Sequence, residues 1–340
     1  MKFIHIADVH WGARPEREQT FGRIREQEIK ETFQRVIDHA NKQQVDLLLI
    51  AGDLFDQPPT QQELREVDYL LFRLNHTRTV LIAGNHDHLE PHDVFSQYKW
   101  NSEVYLLDGK QRDHISFEDL ETTIYGFSYW KNQITKPLYD RMKPDESESS
   151  DFSILLAHGG DESHIPIQRE ALKWSGFDYI ALGHIHKPMK VGSELYRYCG
   201  TPLACSVSEA QQQKGIIMVE MGVKGEVKTT ILPLEPLRQV KVVKGTLEEV
   251  LKEFCKDYVT VILTDKADLD VIDMQERIRL AFPNLLEIRR ENQRKTDYTR
   301  TLQTEELLDP YELCCSFLKD LDEEEKMILQ DVLHTVQGVK

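Results

Sequence analysis

Histidine, aspartate and asparagine fall in five short clusters along the first part of this 340-residue chain: Asp8 with His10, Gly52-Asp53, Gly84-Asn85-His86-Asp87, His158, and Gly183-His184-Ile185-His186. Each cluster closes a short apolar run, so each falls where a strand is expected to end. In a layered sheet, residues at the carboxyl ends of neighbouring strands converge on one crevice. Gathered there, two carboxylates (Asp8, Asp53), one amide (Asn85) and five imidazoles would be costly to bury unless cations offset them. Imidazole and carboxylate without thiolate suit Mn²⁺, Fe²⁺, Zn²⁺ or Ni²⁺ rather than a cysteine-rich structural zinc. The seven candidate ligands, Asp8, His10, Asp53, Asn85, His158, His184 and His186, are too many for one ion and suffice for two if one carboxylate is shared. Two divalent ions about 3.5–4 Å apart stabilise both the attacking and the leaving oxygen of a displacement at phosphorus, and bring the pKa of bound water from about 15.7 towards about 7. The chemistry this pattern predicts is phosphoester hydrolysis.

Regular elements must deliver those side chains. Lys2–Ala7, Val45–Ala51, Thr79–Ala83, Ser153–Ala157 and Asp178–Leu182 read as buried strands. Between the first two, Ile29, Phe33, Val36, Ile37 and Ala40 recur at helical spacing across Arg23–Gln43. After Pro58-Pro59, Thr60 and Glu63 form a capping box for a helix with Leu64, Val67, Leu71 and Leu74 on its apolar stripe. Glu121–Phe127, Tyr196–Cys199, Gly215–Met221 and Lys228–Leu234 are more β-branched and complete the sheets without intervening helices. The order predicts a layered α/β (α+β) domain over residues 1–235, a β-sandwich flanked by helices. Lys143–Asp151 is a polar, acidic surface excursion within it. Pro233 and Pro236 mark a boundary, after which residues 236–292 read as a compact β-α-β-α-β unit. Its elements are Val240–Lys244, a helix capped by Thr246 and Glu249, Tyr258–Leu263, Val271–Phe282 and Leu285–Arg289. Residues 293–340 form a polar linker and two C-terminal helical patterns, around Pro310–Leu318 and Glu323–Val336.

Composition sets the outer limits. With 58 acidic and 42 basic side chains the net charge is −16, which argues against a polyphosphate-binding surface in general but says nothing of a single groove. No stretch approaches the roughly 20 apolar residues of a membrane span. MKFIHIADVH reads as a strand rather than a signal segment, and five cysteines without a CxxC pair suggest reduced thiols in the cytoplasm.

In order and in strand context, the DxH, GD, GNHD, His158 and GHxH motifs resemble the calcineurin-like metallophosphoesterases over roughly residues 1–235. The resemblance implies that Asp8, His10, Asp53 and His186 hold one ion and that Asp53, Asn85, His158 and His184 hold the other, with Asp53 bridging. It implies that His86 serves the departing oxygen as a proton or hydrogen-bond donor, with Asp87 orienting it. The segments IADVHWG, IAGDLFD, DYIALGHIHKP and YCGTPL…SE are similar to those of SbcD-type DNA-repair nucleases. That likeness implies Mn²⁺-dependent 3′-to-5′ exonuclease action on duplex DNA ends and endonuclease action on single strands and hairpins. By position, residues 236–292 would then be a capping domain, and the C-terminal helices would bind an SbcC-like ABC-type coiled-coil ATPase. Such relatives form homodimers through helices corresponding to Thr60–Asn75 and about His92–Trp100, where Leu71, Phe72 and Phe95 would supply apolar contact. Archaeal and eukaryotic relatives carry His where this chain has Asp56, so no role is transferred to Asp56. The alternative is a metallophosphoesterase acting on a non-DNA phosphoester, either a phosphatase or a nucleotide phosphodiesterase. Against a phosphoprotein phosphatase, the GDLFDQ segment lacks that group's arginine, and Asp87 stands where it has Glu.

Other residues carry two readings. Trp11, beside His10, either stacks on a base or anchors its loop by packing. His88 is a loop residue or a substrate contact. His5 reads as a packed core or interface histidine, whereas His39, His76, His114 and His334 read as surface groups. Arg14, Arg17, Arg23 and Arg25 either track phosphates or, interleaved with Glu16, Glu18, Glu26 and Glu28, form a solvated mixed face, the reading the acids favour.

Overall fold

The computed structural model describes residues 1–291, except 110–112, 146, 149, 224–225 and 266–270, and beyond them only residues 325, 326, 328 and 329. The expected C-terminal helices lie outside the described residues but for those four, which are helical.

The chain runs through β1 (Lys2–Ile6), α1 (Gly22–Gln43), β2 (Leu47–Ala51), α2 (Gln61–Leu71), β3 (Arg78–Ile82), β4 (Val104–Leu106), β5 (Asp113–Phe117) and β6 (Thr122–Gly126). It continues through β7 (Phe152–His158), α3 (Arg169–Lys173), β8 (Tyr179–Gly183), β9 (Met189–Lys190), β10 (Tyr196–Tyr198), β11 (Gly215–Met221) and β12 (Val227–Pro233). The last elements are β13 (Val240–Gly245), α4 (Leu247–Val250), β14 (Tyr258–Leu263), α5 (Val271–Ala281) and β15 (Leu285–Arg290). One six-stranded sheet has the order β12-β11-β1-β2-β3-β4, and a second has β5-β6-β7-β8-β10-β9. Within them β1 to β4 are parallel, as are β6, β7, β8 and β10, while β11, β12, β5 and β9 complete the edges antiparallel.

The continuous apolar runs follow from burial on both faces. Ile4, Ile6, Leu48, Ile50 and Leu81 point to the layer of α1 and α2, where Ile29, Phe33, Val36 and Leu64 cover them. Their neighbours Phe3, Leu47, Leu49, Val80 and Ile82 point the other way, into a core shared with Ile124, Ile154, Leu156 and Tyr179 of the second sheet. The outer face of that sheet is closed by Tyr129, Tyr139, Ile165 and Leu172. The sandwich flanked by helices is therefore as the sequence predicts. The Thr60 capping box is present, with Thr60 N–H donating to Glu63 at 2.8 Å.

Several expectations are corrected. β4, β5, β9 and α3 have no counterpart in the predicted elements; β4 is three half-buried residues, and β5 is a largely exposed edge. Residues 92–100 are turns rather than a helix. The Asp93 carboxylate accepts from the N–H groups of Glu90 and Ser96, a local bond that competes with helix formation. Leu71 and Phe95 are each 1% exposed, Phe95 packing on Phe55, so of the expected pairing residues only Phe72 lies on the surface. The mixed face on α1 is also only partly solvated. Arg25 is buried, bonds the Cys205 carbonyl at 2.8 Å, pairs with Glu16 at 2.9 Å and stacks on the Tyr258 ring at 4.2 Å.

β13, β14 and β15 form a parallel three-stranded sheet with its own core of Val243, Leu247, Val261, Met274, Ile278 and Phe282. Buried Glu28 of α1 accepts from Tyr258 Oη at 2.9 Å and pairs with Arg238, fastening this unit to the larger one. Among the described residues no helix is long and apolar enough to cross a membrane.

Candidate metal centre

Five parallel strands end at one edge of the sandwich. Asp8 and His10 follow β1, Asp53 follows β2, Asn85 to Asp87 follow β3, His158 closes β7, and His184 and His186 follow β8. The chain turns sharply there: Asp8, His10 and Asp53 take φ of 53°, 51° and 50°, and His184 takes 95°. Left-handed backbone at such residues costs about 1–3 kcal/mol each and persists where surrounding structure enforces it. The adjoining glycines make room. A Cβ on Gly52 would lie 2.3 Å from His158 Nδ1, and one on Gly84 would lie 2.2 Å from Asp53 Oδ1.

All seven predicted ligands come together. Asp8, His10 and His186 offer ligand atoms within 4.8 Å of one another, as do Asp53, His158 and His184. His10, Asp53 and His86 form a third such group that joins the other two. Asn85 Oδ1 lies 3.0 Å from both His158 Nε2 and His184 Nδ1, and Asp53 Oδ2 lies 3.2 Å from His158 Nε2.

The direction of the imidazoles tests whether this donor set suits cations. His158 Nδ1 bonds the Ala51 carbonyl at 2.9 Å, His184 Nε2 bonds Asp161 at 2.7 Å, and His186 Nδ1 bonds Glu209 at 3.3 Å. His10 Nδ1 faces the Asp56 carboxylate at 3.2 Å. Carbonyls and carboxylates only accept, so these outward nitrogens carry the hydrogens. The inward nitrogens then present lone pairs to one another, His10 Nε2 standing 3.1 Å from His186 Nε2, and to the oxygens of Asn85 and Asp53. Acceptors massed against acceptors in a buried site are stable around positive charge. Nitrogen and oxygen donors without thiolate fit hard or borderline divalent ions.

Burial opposes the Asp53 charge, but His158 beside it holds the carboxyl well below its usual range. Without cations a proton relieves that massing of acceptors. Burial works against a charged His158, but Asp53 outweighs it, raising the imidazole to about 9. Nε2 then carries a hydrogen that a bound cation would displace.

The remaining predicted residues divide. His86 sits at the mouth, its side chain 44% exposed, with its N–H bonded to Asp53 Oδ1 at 2.9 Å. The Asp87 carboxylate does not bond its ring. Wholly buried, Asp87 accepts instead from Gly84 N–H at 2.6 Å and Phe55 N–H at 3.1 Å, and burial, reinforced by Asp53, pushes its carboxyl up to about 7. The orienting group is Asp56, whose main-chain carbonyl accepts from His86 Nδ1 at 2.9 Å. Trp11 is 3% exposed, edge-on to Phe33 and under Lys30, so its packing role holds and its ring offers no stacking face to a base. His88 bonds the Asn85 carbonyl at 3.1 Å and is half-buried. Sequence reasoning gave Asp56, Asp161 and Glu209 no role in supporting the candidate ligand imidazoles. Asp56 and Glu209 carried a signal, each as the last residue of a recognised segment, and Asp161 carried none.

Residues 1–188 match the calcineurin-like phosphoesterase family, and residues 234–321 match the type 5 capsule protein repressor C-terminal domain. The chain is 26% identical over 323 residues to the SbcD component of the nuclease SbcCD of Staphylococcus epidermidis, covering 84% of each chain. It is 26% identical over 328 residues to the DNA double-strand break repair protein Mre11 of Methanopyrus kandleri, covering 82% of this chain and 71% of that one. Over 213 residues it is 32% identical to the uncharacterized metallophosphoesterase YhaO of Bacillus subtilis, covering 57% of this chain and 50% of that one. With its motifs on successive strand ends and more than half its length matched, this chain belongs to the calcineurin-like phosphoesterase family and is a phosphoester hydrolase.

Proposed function

We propose that this protein is a two-metal DNA nuclease of the repair machinery, Mn²⁺-dependent, acting as a 3′-to-5′ exonuclease on duplex ends and an endonuclease on single strands and hairpins. The observation that carries the chemistry is the position of Asp53, which belongs both to the group containing His158 and His184 and to the group containing His10. The substrate is argued from similarity to a component of a nuclease over most of both chains.

In this reading Asp8, His10, Asp53 and His186 hold one ion, and Asp53, Asn85, His158 and His184 hold the other. When bound, the ions supply positive charge to the phosphoryl oxygens and lower the pKa of the attacking water. The chain's own residues do the rest. Asp53 Oδ1 also accepts from the His86 N–H, so the bridging carboxylate fixes the loop that carries the leaving-group histidine. His86 Nδ1 donates to the Asp56 carbonyl, so Nε2 is bare in the neutral ring and would donate to the departing oxygen from the imidazolium form, which carries a hydrogen on both nitrogens. Asp87 pins the Gly84–Asp87 turn against Phe55 and so sets the height of His86 over the site.

Residues 1–235 then form the nuclease domain, residues 236–292 a capping domain that helps orient DNA, and residues 293–340 the segment that binds an SbcC-like ABC-type coiled-coil ATPase. The name of the Staphylococcus epidermidis relative, one component of SbcCD, supports that partnership. Homodimer formation would use exposed Tyr69 and Phe72 on the outer side and end of α2. A DNA-repair role places the protein in the cytoplasm.

The test is cleavage of end-labelled duplex and hairpin DNA with Mn²⁺, with and without the ATPase, beside phosphopeptide and cyclic-nucleotide substrates. DNA cleavage is the expected result. Hydrolysis of a phosphopeptide or cyclic nucleotide with no DNA cleavage would overturn it.

A further inference from the structure

We infer that Asp161 is a positioning residue for His184, fixing which nitrogen of that imidazole faces the metal centre. The inference rests on the two-metal reading above. His184 is the proposed ligand whose backbone is furthest from an ordinary conformation, with φ of 95°, and its ring is held from outside the centre. Asp161 Oδ2 holds it, accepting from Nε2 at 2.7 Å. With the hydrogen committed to Nε2, Nδ1 is left bare and turned toward Asn85 Oδ1.

Asp161 is itself immobilised. Its Oδ1 accepts from Ser163 N–H at 2.8 Å, His164 N–H at 2.9 Å and His164 Nδ1 at 2.9 Å. The loop that carries it is built for this position. Gly159 and Gly160 take φ of 135° and 132°, and a Cβ on either would lie 2.3 Å from the His164 carbonyl or 2.2 Å from Tyr198 Oη. Ile165, a β-branched residue at φ 39°, is wholly buried and donates its N–H to the Ile134 carbonyl at 2.6 Å. Ile134 N–H returns a bond to the Ser163 carbonyl at 3.0 Å. Strain of this kind is retained where the surrounding contacts over-determine it.

Asp161, His164 and His184 also have the composition of a further cation site. The hydrogen bonds argue otherwise, because both Asp161 oxygens are already engaged by N–H donors and the His184 nitrogen that faces it carries a hydrogen. A carboxylate behind a ligand imidazole sets its tautomer and raises its basicity, and removing one weakens metal binding about 10–100-fold.

The test is Mn²⁺ titration of the metal-free full chain by calorimetry, with electron paramagnetic resonance to detect coupled ion pairs. The wild type takes up two ions. D161A is expected to bind one of them about 10–100-fold more weakly, with the other unchanged and the coupled-pair signal lost at limiting Mn²⁺. D161N, whose amide oxygen still accepts from Nε2, should fall between the two, and it carries the test if D161A does not fold. Wild-type affinity at both sites in these variants would overturn the inference alone. So would three ions in the wild type and two in D161A, which would make Asp161 a ligand. A wild type that binds no ion would overturn the proposed function with it.

Discussion

The main-chain carbonyl of Asp56 accepts a hydrogen bond from His86 Nδ1 at 2.9 Å, while the carboxylate of the same residue faces His10 Nδ1 at 3.2 Å. One residue thus steers two imidazoles by two different groups, and substitution can separate them. Asp56→Asn keeps the carbonyl and so keeps His86 in place, but it removes the charge behind His10. It should weaken Mn²⁺ binding about 10-fold or more at the His10 position, read by calorimetry. His86→Asn should do the reverse, retaining both ions while lowering the cleavage rate about 100- to 10,000-fold.

Gly84 is predicted to tolerate no side chain. Its Cβ would meet both Asp53 Oδ1 at 2.2 Å and Asp53 N at 2.7 Å, and neither can move without displacing the shared carboxylate. Gly84→Ala should therefore lose Mn²⁺ binding in titration. Gly222→Ala, whose Cβ would first meet the flexible end of Glu226 at 3.1 Å, should bind Mn²⁺ as the wild type does.

His5 gives the fold a pH dependence separate from the metal centre. It is wholly buried between the sheets, bonded to Tyr179 Oη at 3.1 Å, and burial with the nearby Arg197 charge lowers its pKa from 6.5 to about 3. The folded chain keeps it neutral, while the unfolded chain takes up a proton below pH 6.5. Stability present above that pH is lost progressively as pH falls towards about 3. Denaturant unfolding of metal-free protein at about pH 7, 6 and 5 should show wild type losing up to about 1.4 kcal/mol per pH unit more than His5→Gln. Parallel slopes would count against it.

The seam between α1 and the three-stranded unit should cost stability when opened. Tyr258→Phe removes one buried bond to Glu28 and is expected to lose about 0.5–1.5 kcal/mol in denaturant unfolding. Glu28→Ala, which strands the Tyr258 hydroxyl and the Arg238 guanidinium together, should lose more, about 1–3 kcal/mol.

The candidate metal centre was legible because its proposed ligands sit on strand ends, and those strands are largely apolar runs buried on both faces. Leu47–Ala51 and Val80–Ile82 have no polar side chain to blur them. The supports behind the ligands were less legible, because Asp161 and Glu209 each lie 23 residues from the histidine they hold and only the folded loops bring them close. Arg25 and Glu28 looked solvated for a related reason: a charge buried through pairing has the same letter as one in water. The helix that the resemblance implied near residues 92–100 is replaced by turns fastened by the side-chain bonds of Asp93, a local feature that likeness to a family does not carry over.

Anomalous diffraction from crystals soaked in Mn²⁺ would show whether two cations share Asp53. Two peaks about 3.5–4 Å apart, one on either side of the Asp53 carboxylate, are the expected result. A single peak, or two peaks with Asp53 bound to only one of them, would contradict it.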